Sequence, residues 1–407
     1  MKATDTAVGV TPRIVAGILG GAITVGLEWL VVYLAAPILS RQSVWVATGV
    51  VAVGLCFSAI ILTRTRTNGA MADDMIEALR DGERLPLRTA LARLVATCAT
   101  LASGAPLGFE GPVGYGGAVV GDVVARRSSS LARREVMAAG VAGAVAALFR
   151  APLAGALFAV EIPGGSLRRW TKVPLALCGS LPGFLLSWWR HGSSVRFDRL
   201  GGLGWSVNLL GAVITTGVAV GVVVELFACA LRWVGRCEPR GVFLVGSTAV
   251  VAGIALLVSS VESVALATSP GKELFRVAMD LKTGAWIIAL VLVARVIGIT
   301  ATVAARGCGG LAMPLLMLGG LTGRLVSQPF GVSPVVSVMV GAFAAWAAGY
   351  RIPIASIALA AEATRRAPIA LAAPIAVFVA CAISRTSLRR PQIEQLSGAT
   401  ESFESAF

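Results

Sequence analysis

Four stretches of this chain, residues 43–63, 205–224, 241–261 and 325–350, carry no charged side chain at all. About twenty helical residues cross the roughly 30 Å of hydrocarbon in a bilayer, so each stretch has the length of a membrane-spanning helix. Other apolar runs, such as 88–107 and 136–161, carry one or a few charges or are split by Gly and Pro. The first run, 14–39, is interrupted by Glu28 and lacks a small-residue cleavage site. It reads as a retained span and not as a signal peptide. Only 14% of the 407 residues are charged and 56% are hydrophobic, whereas soluble domains carry roughly 25% charged residues. The chain is expected to be polytopic, in the cell membrane, with the lipid bilayer as its surroundings.

Lysine and arginine number 35 against 21 acids, a formal net charge of +14. Such an excess can mark a nucleic-acid binder, but its placement argues against one. Arg64 and Arg66, then Arg126, Arg127, Arg133 and Arg134, then Arg168 and Arg169, then Arg385, Arg389 and Arg390 all cluster at the ends of apolar runs. That is the positive-inside pattern of cytoplasmic loops. The seven Cys are scattered, with no C-x-x-C, and the single His191 follows a Trp-Trp-Arg segment. A transition-metal site is therefore not expected. No Ser-His-Asp set and no phosphate-cradling Gly loop with a following Lys is present. An enzyme is not expected, and nothing calls for a cofactor.

The chain also repeats itself. Residues 108–123 read GFEGPVGYGGAVVGDV and residues 310–325 read GLAMPLLMLGGLTGRL, an offset of 310 − 108 = 202. Gly108, Pro112, Gly117 and Gly121 recur as Gly310, Pro314, Gly319 and Gly323. Residues 150–161, RAPLAGALFAVE, return at 351–362 as RIPIASIALAAE, an offset of 351 − 150 = 201. Arg150, Pro152, Ala154, Ala159 and Glu161 recur as Arg351, Pro353, Ala355, Ala360 and Glu362. Coincidence in an Ala/Gly/Leu-rich chain is the bland alternative, but the matched positions include Arg, Pro and Glu as well as the abundant small residues. Duplicated halves in a membrane protein suggest a transporter with its site at the interface of the repeats.

Both copies of the first block are interrupted by Gly and Pro, and non-helical backbone at membrane depth survives only where protein or a water-filled path satisfies it. Pro112 suits the first position of a helix, where its missing N–H costs nothing. The segment before it would be an extended lead-in whose Gly residues let backbone approach a ligand closely. Free N–H groups at such a start carry about half a positive charge and form an anion site without a buried cation. Pro314 would repeat this in the second half, so that two helix starts converge on one point. Dipoles bind an anion weakly enough to release it. Glu110 sits inside the first lead-in, and a carboxylate at membrane depth costs roughly 2.5 kcal/mol or more, which makes it a functional candidate. It can occupy the anion site and block it; protonation or an outward swing would open the path. An exposed loop Glu beside a turn is the plain alternative. The equivalent residue, Ala312, has no carboxylate.

These residues resemble the CLC family of chloride channels and proton-coupled chloride antiporters. GFEGP at 108–112 resembles the family's G-[KR]-E-G-P, whose Glu is the gate, and RAPLAGALFAVE resembles N-A-P-L-A-G-x-L-F-x-x-E. GGLAMPLLMLGG at 309–320 resembles G-G-x-F-x-P, which lines the ion site in the second half. GAMADDMIEAL at 69–79 occupies the place of G-S-G-I-P-E, which supplies a Ser hydroxyl to the anion. The resemblance runs from about residue 13 to 388. It implies an all-α membrane protein of two inverted-topology repeats of tilted and broken helices, 13–204 and 205–388. A cytoplasmic segment, 1–12, would precede them, and a short polar tail, 389–407, without a regulatory domain would follow. It implies a homodimer with one pore per subunit. It also implies an anion site at Gly69, Ala70, Met71, Gly108, Phe109, Gly111, Pro112, Gly310, Leu311, Ala312, Met313 and Pro314, gated by Glu110. Arg93 falls where the family has a basic residue near the pore, and Glu161 is a candidate for the proton path or pore electrostatics. The recurrence of Glu161 as Glu362 favours a helix-end or subunit-contact role for it.

Several positions depart from the family pattern. Phe109 replaces the basic residue of G-[KR]-E-G-P, and Ala70 or Met71 replaces the Ser. Ala312 replaces the Phe of G-x-F-x-P. The Tyr that closes the inner side has no counterpart among Tyr33, Tyr115 and Tyr350. Ile162 stands where proton-coupled members carry a second Glu. Passive chloride conduction gated by Glu110 is the leading expectation. Anion/proton antiport, for fluoride or nitrate as well as chloride, and a non-conducting membrane scaffold are the alternatives.

Overall fold

The computed structural model describes residues 3–35, 43–69, 71–126, 130–164, 167–191, 206–236, 241–259, 272–364, 367–385 and 388. Ala70, Arg127, Cys237, Arg389, Arg390 and the tail 389–407 lie outside these residues. In the first half α1 (Ala3–Glu28) continues through a wider helical turn at Trp29–Ala35. After it come α2 (Val44–Arg64), α3 (Met71–Asp81), α4 (Leu87–Ala102), α5 (Glu110–Val124), α6 (Ser130–Phe149), α7 (Pro152–Glu161) and α8 (Val173–His191). The second half runs α9 (Val207–Gly235), α10 (Gly241–Ser259), α11 (Lys272–Met279) and α12 (Ala285–Ala304). It ends with α13 (Ala312–Ser327), α14 (Pro334–Tyr350), α15 (Pro353–Thr364) and α16 (Ala367–Ile383). Long and short helices recur in the same order. The start of α13 lies 312 − 110 = 202 residues after that of α5, and α15 starts 353 − 152 = 201 residues after α7.

Helices α2, α9 and α12, and the stretch Val10–Val32 that runs from α1 into the wider turn, are long and apolar enough to cross a bilayer. Most of the others are shorter or interrupted, as broken helices packed inside a bundle can be, and α6, as long as α12, carries Arg133, Arg134 and Glu135 near its start. One expected span is corrected by the structure. The charge-free stretch 325–350 is not a single helix: α13 ends at Ser327, Gln328–Phe330 form a tight turn, and Gly331 takes φ +65° before α14 begins at Pro334. Pro329 and Pro334 remove donors and Gly331 supplies the left-handed turn, so hydrophobicity alone could not carry one helix through.

Large apolar side chains such as Val53, Phe57, Ile60, Leu226, Val245 and Phe378 are exposed on the outside of the bundle. Water would oppose such a surface and hydrocarbon suits it. Trp45 opens α2, Trp189 and Trp233 close α8 and α9, and Trp286 opens α12; all four are exposed. Indoles at helix ends mark the two membrane–water interfaces. The protein is a multi-pass membrane protein.

Inside, backbones touch. A Cβ placed on Gly140 of α6 would collide with the Gly117 carbonyl of α5, and one on Gly341 of α14 with the Gly319 carbonyl of α13. The same crossing is thus built twice from the repeated glycines, since small residues let helices approach where lipid offers no hydrophobic drive. Trp346 of α14, fully buried, lies 5.7 Å from the Phe158 ring of α7 and 5.3 Å from the Phe149 ring of α6, measured between ring centres. These contacts tie the halves together by large buried aromatic area.

Candidate functional site

The two Gly-rich lead-ins meet. Gly108 donates its N–H to the Gly310 carbonyl at 2.8 Å, and Gly310 returns one to the Gly108 carbonyl at 2.7 Å, as an isolated antiparallel bridge. Equivalent residues of the two halves therefore bond each other, which a two-fold relation between inverted repeats requires. A Cβ on Gly111 would come within 2.9 Å of the Gly310 Cα. No side chain fits between the strands.

The helices start earlier than expected. Pro112 and Pro314 are the third residues of α5 and α13, not the first, and Glu110 and Ala312 are the first residues. The first bonds of each helix run from Val113 N–H to the Phe109 carbonyl at 2.8 Å and from Leu315 N–H to the Leu311 carbonyl at 2.9 Å. The opening N–H groups of a helix have no partner within it, so a proline anywhere in the first turn loses nothing. Glu110 therefore stands on the first turn of a helix, not in an extended lead-in.

Glu110 is buried, 5% exposed, and neither carboxylate oxygen has a hydrogen-bond partner. The side chain folds back over the bridge. A Cβ added at Gly108 would collide with its Oε2, and one at Gly310 would stand 3.2 Å from it. Its near polar groups are the backbone N–H of Glu110 itself and of Met313, the second residue of α13. Neither reaches hydrogen-bond geometry. The carboxylate thus occupies the point where the starts of α5 and α13 face each other. Phe109, Leu311 and Ala312 are buried around it, and Met313 is partly buried.

The third lead-in joins the same cluster. A Cβ on Gly69 would contact the Gly307 carbonyl at 3.6 Å and Cys308 Sγ at 4.0 Å. Met71 opens α3 and is buried, while Ala70 lies outside the described residues. Thr97 Oγ1 lies 3.9 Å from Met71 Sδ and 3.5 Å from Cys308 Sγ. Arg93, expected near the pore, is engaged with its neighbours. It donates to the Asn68 carbonyl at 2.9 Å, to Asn68 Oδ1 at 2.7 Å and to Asp74 Oδ2 at 2.5 Å, and it stacks 5.1 Å from the Tyr115 ring. It holds the 68–71 lead-in in place. The motif comparison passed over Thr97, Cys308 and Arg295. The repeat offset could have found Arg295, since 295 − 93 = 202 puts it at the position of Arg93; it is buried at 3% exposure in α12.

Glu161 lies elsewhere. Its two oxygens accept from the N–H groups of Ile354 at 3.1 Å and Ala355 at 2.7 Å, the first turn of α15. Glu362 does the same for Leu153 at 3.0 Å and Ala154 at 2.7 Å, the first turn of α7. Two antiparallel short helices cap each other through repeated carboxylates, each satisfying exposed N–H groups and the positive helix end. Among the described residues no group of three or more His, Cys, Asp or Glu could hold a metal ion.

Two broken helices that meet start to start across an inverted repeat are a strong family mark, and the sequence carries one: the model of the family described as voltage gated chloride channel matches residues 49–385. The chain belongs to that family. Within it, the chain is 26% identical over 356 residues to an H(+)/Cl(-) exchange transporter ClcA of Vibrio cholerae, covering 82% of this chain and 75% of that one. A ClcB-like chloride channel protein of Ralstonia nicotianae is 28% identical over 317 residues, covering 72% and 71%. In fold, the family member in hand superposes with a TM-score of 0.81 on the crystal structure of a slow cyanobacterial Cl-/H+ antiporter. That likeness is at 18% identity and covers 98% of this chain and 99% of the other. A CLC-type fluoride/proton antiporter gives 0.81 at 17% identity, covering 96% and 99%. The fold is thus the inverted-repeat, broken-helix fold that the motifs implied.

Proposed function

We propose that this protein conducts small anions, chloride foremost, through the point where its lead-ins meet, with Glu110 as the gate. One observation carries the reading: a buried carboxylate without a hydrogen-bond partner sits between the starts of α5 and α13. Those starts offer partial positive charge, and the only full charge among them is the negative one of Glu110. An anion and this carboxylate compete for one place. Neutralising the carboxylate by a proton, or swinging it aside, frees the place for the ion. Ala312 at the equivalent position has no such group, so one gate serves both halves. The site in this reading comprises Gly108, Phe109, Gly111, Pro112 and Gly310–Pro314, with Gly69–Met71 at its other edge. The repeats are 13–204 and 205–388, the membrane is that of the cell, and the working unit is a homodimer.

Proton-coupled exchange is the second reading, favoured by the names of the Vibrio relative and of the two antiporters of like fold. Against it, Ile162 is a buried hydrocarbon in the place of a relay carboxylate. Efflux from chloride-loaded proteoliposomes, followed with a chloride electrode and a pH electrode together, separates the two. Passive conduction releases chloride without proton uptake. Proton uptake in fixed ratio to chloride, lost in Glu110→Gln, would replace conduction by exchange. Absence of chloride, nitrate and fluoride flux would reject both.

A further inference from the structure

A cavity lies away from the lead-ins. It measures about 150 Å³ and sits between the end of α3, the start of α6, the end of α7 and the start of α8. Its apolar floor is made by Leu79, Ala138, Val160 and Ala176, and its rim by Arg134, Arg169 and Lys172 with one acid, Glu135. Glu135 is already shared, since both Lys172 and Arg13 bond it. Arg134 Nε is buried without a hydrogen-bond partner. Arg80 stands alongside, donating to the Pro163 carbonyl at 3.2 Å. Burial first, then the guanidinia of Arg80 and Arg134, push Arg169 below the ordinary arginine range, with Asp81 opposing them. Arg134, Arg169 and Lys172 line the hollow, with Arg80 and Arg13 beside it, and Glu135, Asp81 and Glu77 do not balance these five cations. These are also ends of apolar runs rich in arginine, which by the positive-inside pattern face the cytoplasm, where anionic lipid gathers.

We infer that this cavity binds the phosphate headgroup of an anionic membrane phospholipid, its apolar chain leaving across the Leu79–Ala138–Val160–Ala176 floor. The phosphate supplies the missing negative charge, and guanidinium pairs suit it through two-pronged hydrogen bonds. The apolar floor favours a lipid over a free anion, because a hydrated ion gains nothing from it. The occupied cavity bears directly on α3 through Leu79, the helix whose first residue belongs to the 69–71 lead-in.

Native mass spectrometry of the purified full chain tests this with phosphatidylglycerol, phosphatidylcholine and inorganic phosphate as probes. Phosphatidylglycerol should be retained in preference to phosphatidylcholine. Each surface cation contributes about fivefold to anionic-lipid affinity, so Arg134→Gln with Arg169→Gln should weaken retention roughly twentyfold. Ala138→Leu fills the hollow with every charge in place, and it should abolish the preference even where the double variant fails to fold. Equal retention of the two lipids by the wild type, or unchanged retention in Ala138→Leu, would overturn the assignment. Displacement of the lipid by millimolar inorganic phosphate would overturn the lipid in favour of a free anion. None of these outcomes depends on which ion the protein moves.

Discussion

Glu110 is the residue on which most turns. Burying a carboxylate at membrane depth opposes folding by roughly 2.5 kcal/mol or more, and no hydrogen bond offsets that cost. Such an uncompensated cost fits a use beyond stability. Glu110→Gln is therefore expected to leave the unfolding midpoint in detergent unchanged or higher, while chloride efflux rises and loses its response to pH. A lower midpoint with unaltered efflux would take the gate away from this residue. Arg93 behaves oppositely. It donates to Asn68 and Asp74 and stacks on Tyr115, so Arg93→Ala strands partly buried acceptors. A loss of about 3 kcal/mol of stability is expected. Arg93→Lys should restore little of it, because a compact ammonium cannot span the carbonyl, the amide and the carboxylate together.

Among elements, the pair α7 and α15 is the clearest case of one repeated letter doing one job twice. Glu161→Ala and Glu362→Ala each remove two carboxylate hydrogen bonds from a helix start and should each lower stability by about 2 kcal/mol. The two effects should add within a few tenths of a kcal/mol, since the carboxylates serve opposite ends of the pair. Chloride selectivity should not change. Thermal unfolding of the two single variants and the double, with matched efflux measurements, checks both statements; a changed proton flux in Glu161→Ala would return Glu161 to a proton path. The glycine crossings admit less. Gly140→Leu or Gly341→Leu drives a side chain into the carbonyl of Gly117 or Gly319, and neither variant should elute as a single species on size exclusion. Left-handed Arg150 and Arg351, at φ 53° and 55°, show how far the repeat reaches into backbone detail. Each turns the chain just before the proline that opens α7 or α15, at a cost of about 1 kcal/mol or more. Arg351 also donates to the carbonyls of Cys381 and Ser384 at 2.5 and 2.9 Å, steadying the end of α16.

For the whole molecule the two-fold relation is the organising fact. The Gly108–Gly310 bridge and the Glu161/Glu362 caps are both self-reciprocal contacts. The lead-ins consequently form at a seam, where neither half owns the site. A chain cut in the connection between α8 and α9 should regain anion flux only when both halves are expressed together. Flux from one half alone would contradict a site at the seam. In detergent the intact protein should run at the mass of two copies by light scattering, as the homodimer proposal requires.

The hydrophobic runs, the positive ends and the 202-residue offset determined, without any structure, that the chain would be an all-helical membrane protein of two repeats. Run length and arginine position are local properties, and the repeat needs only a comparison of letters within the chain. The break in the backbone at both lead-ins was legible too, because Gly and Pro carry their backbone preferences wherever they stand. Tertiary structure alone decided which segments touch. It moved the helix starts to Glu110 and Ala312, broke the stretch 325–350 at Gly331, and turned Arg93 inward to Asn68 and Asp74. It also gave both oxygens of Glu161 to a helix 193 residues away. A sequence displays which groups a chain possesses; their partners are set by packing between segments far apart in order, and no pattern in a single chain encodes those distances.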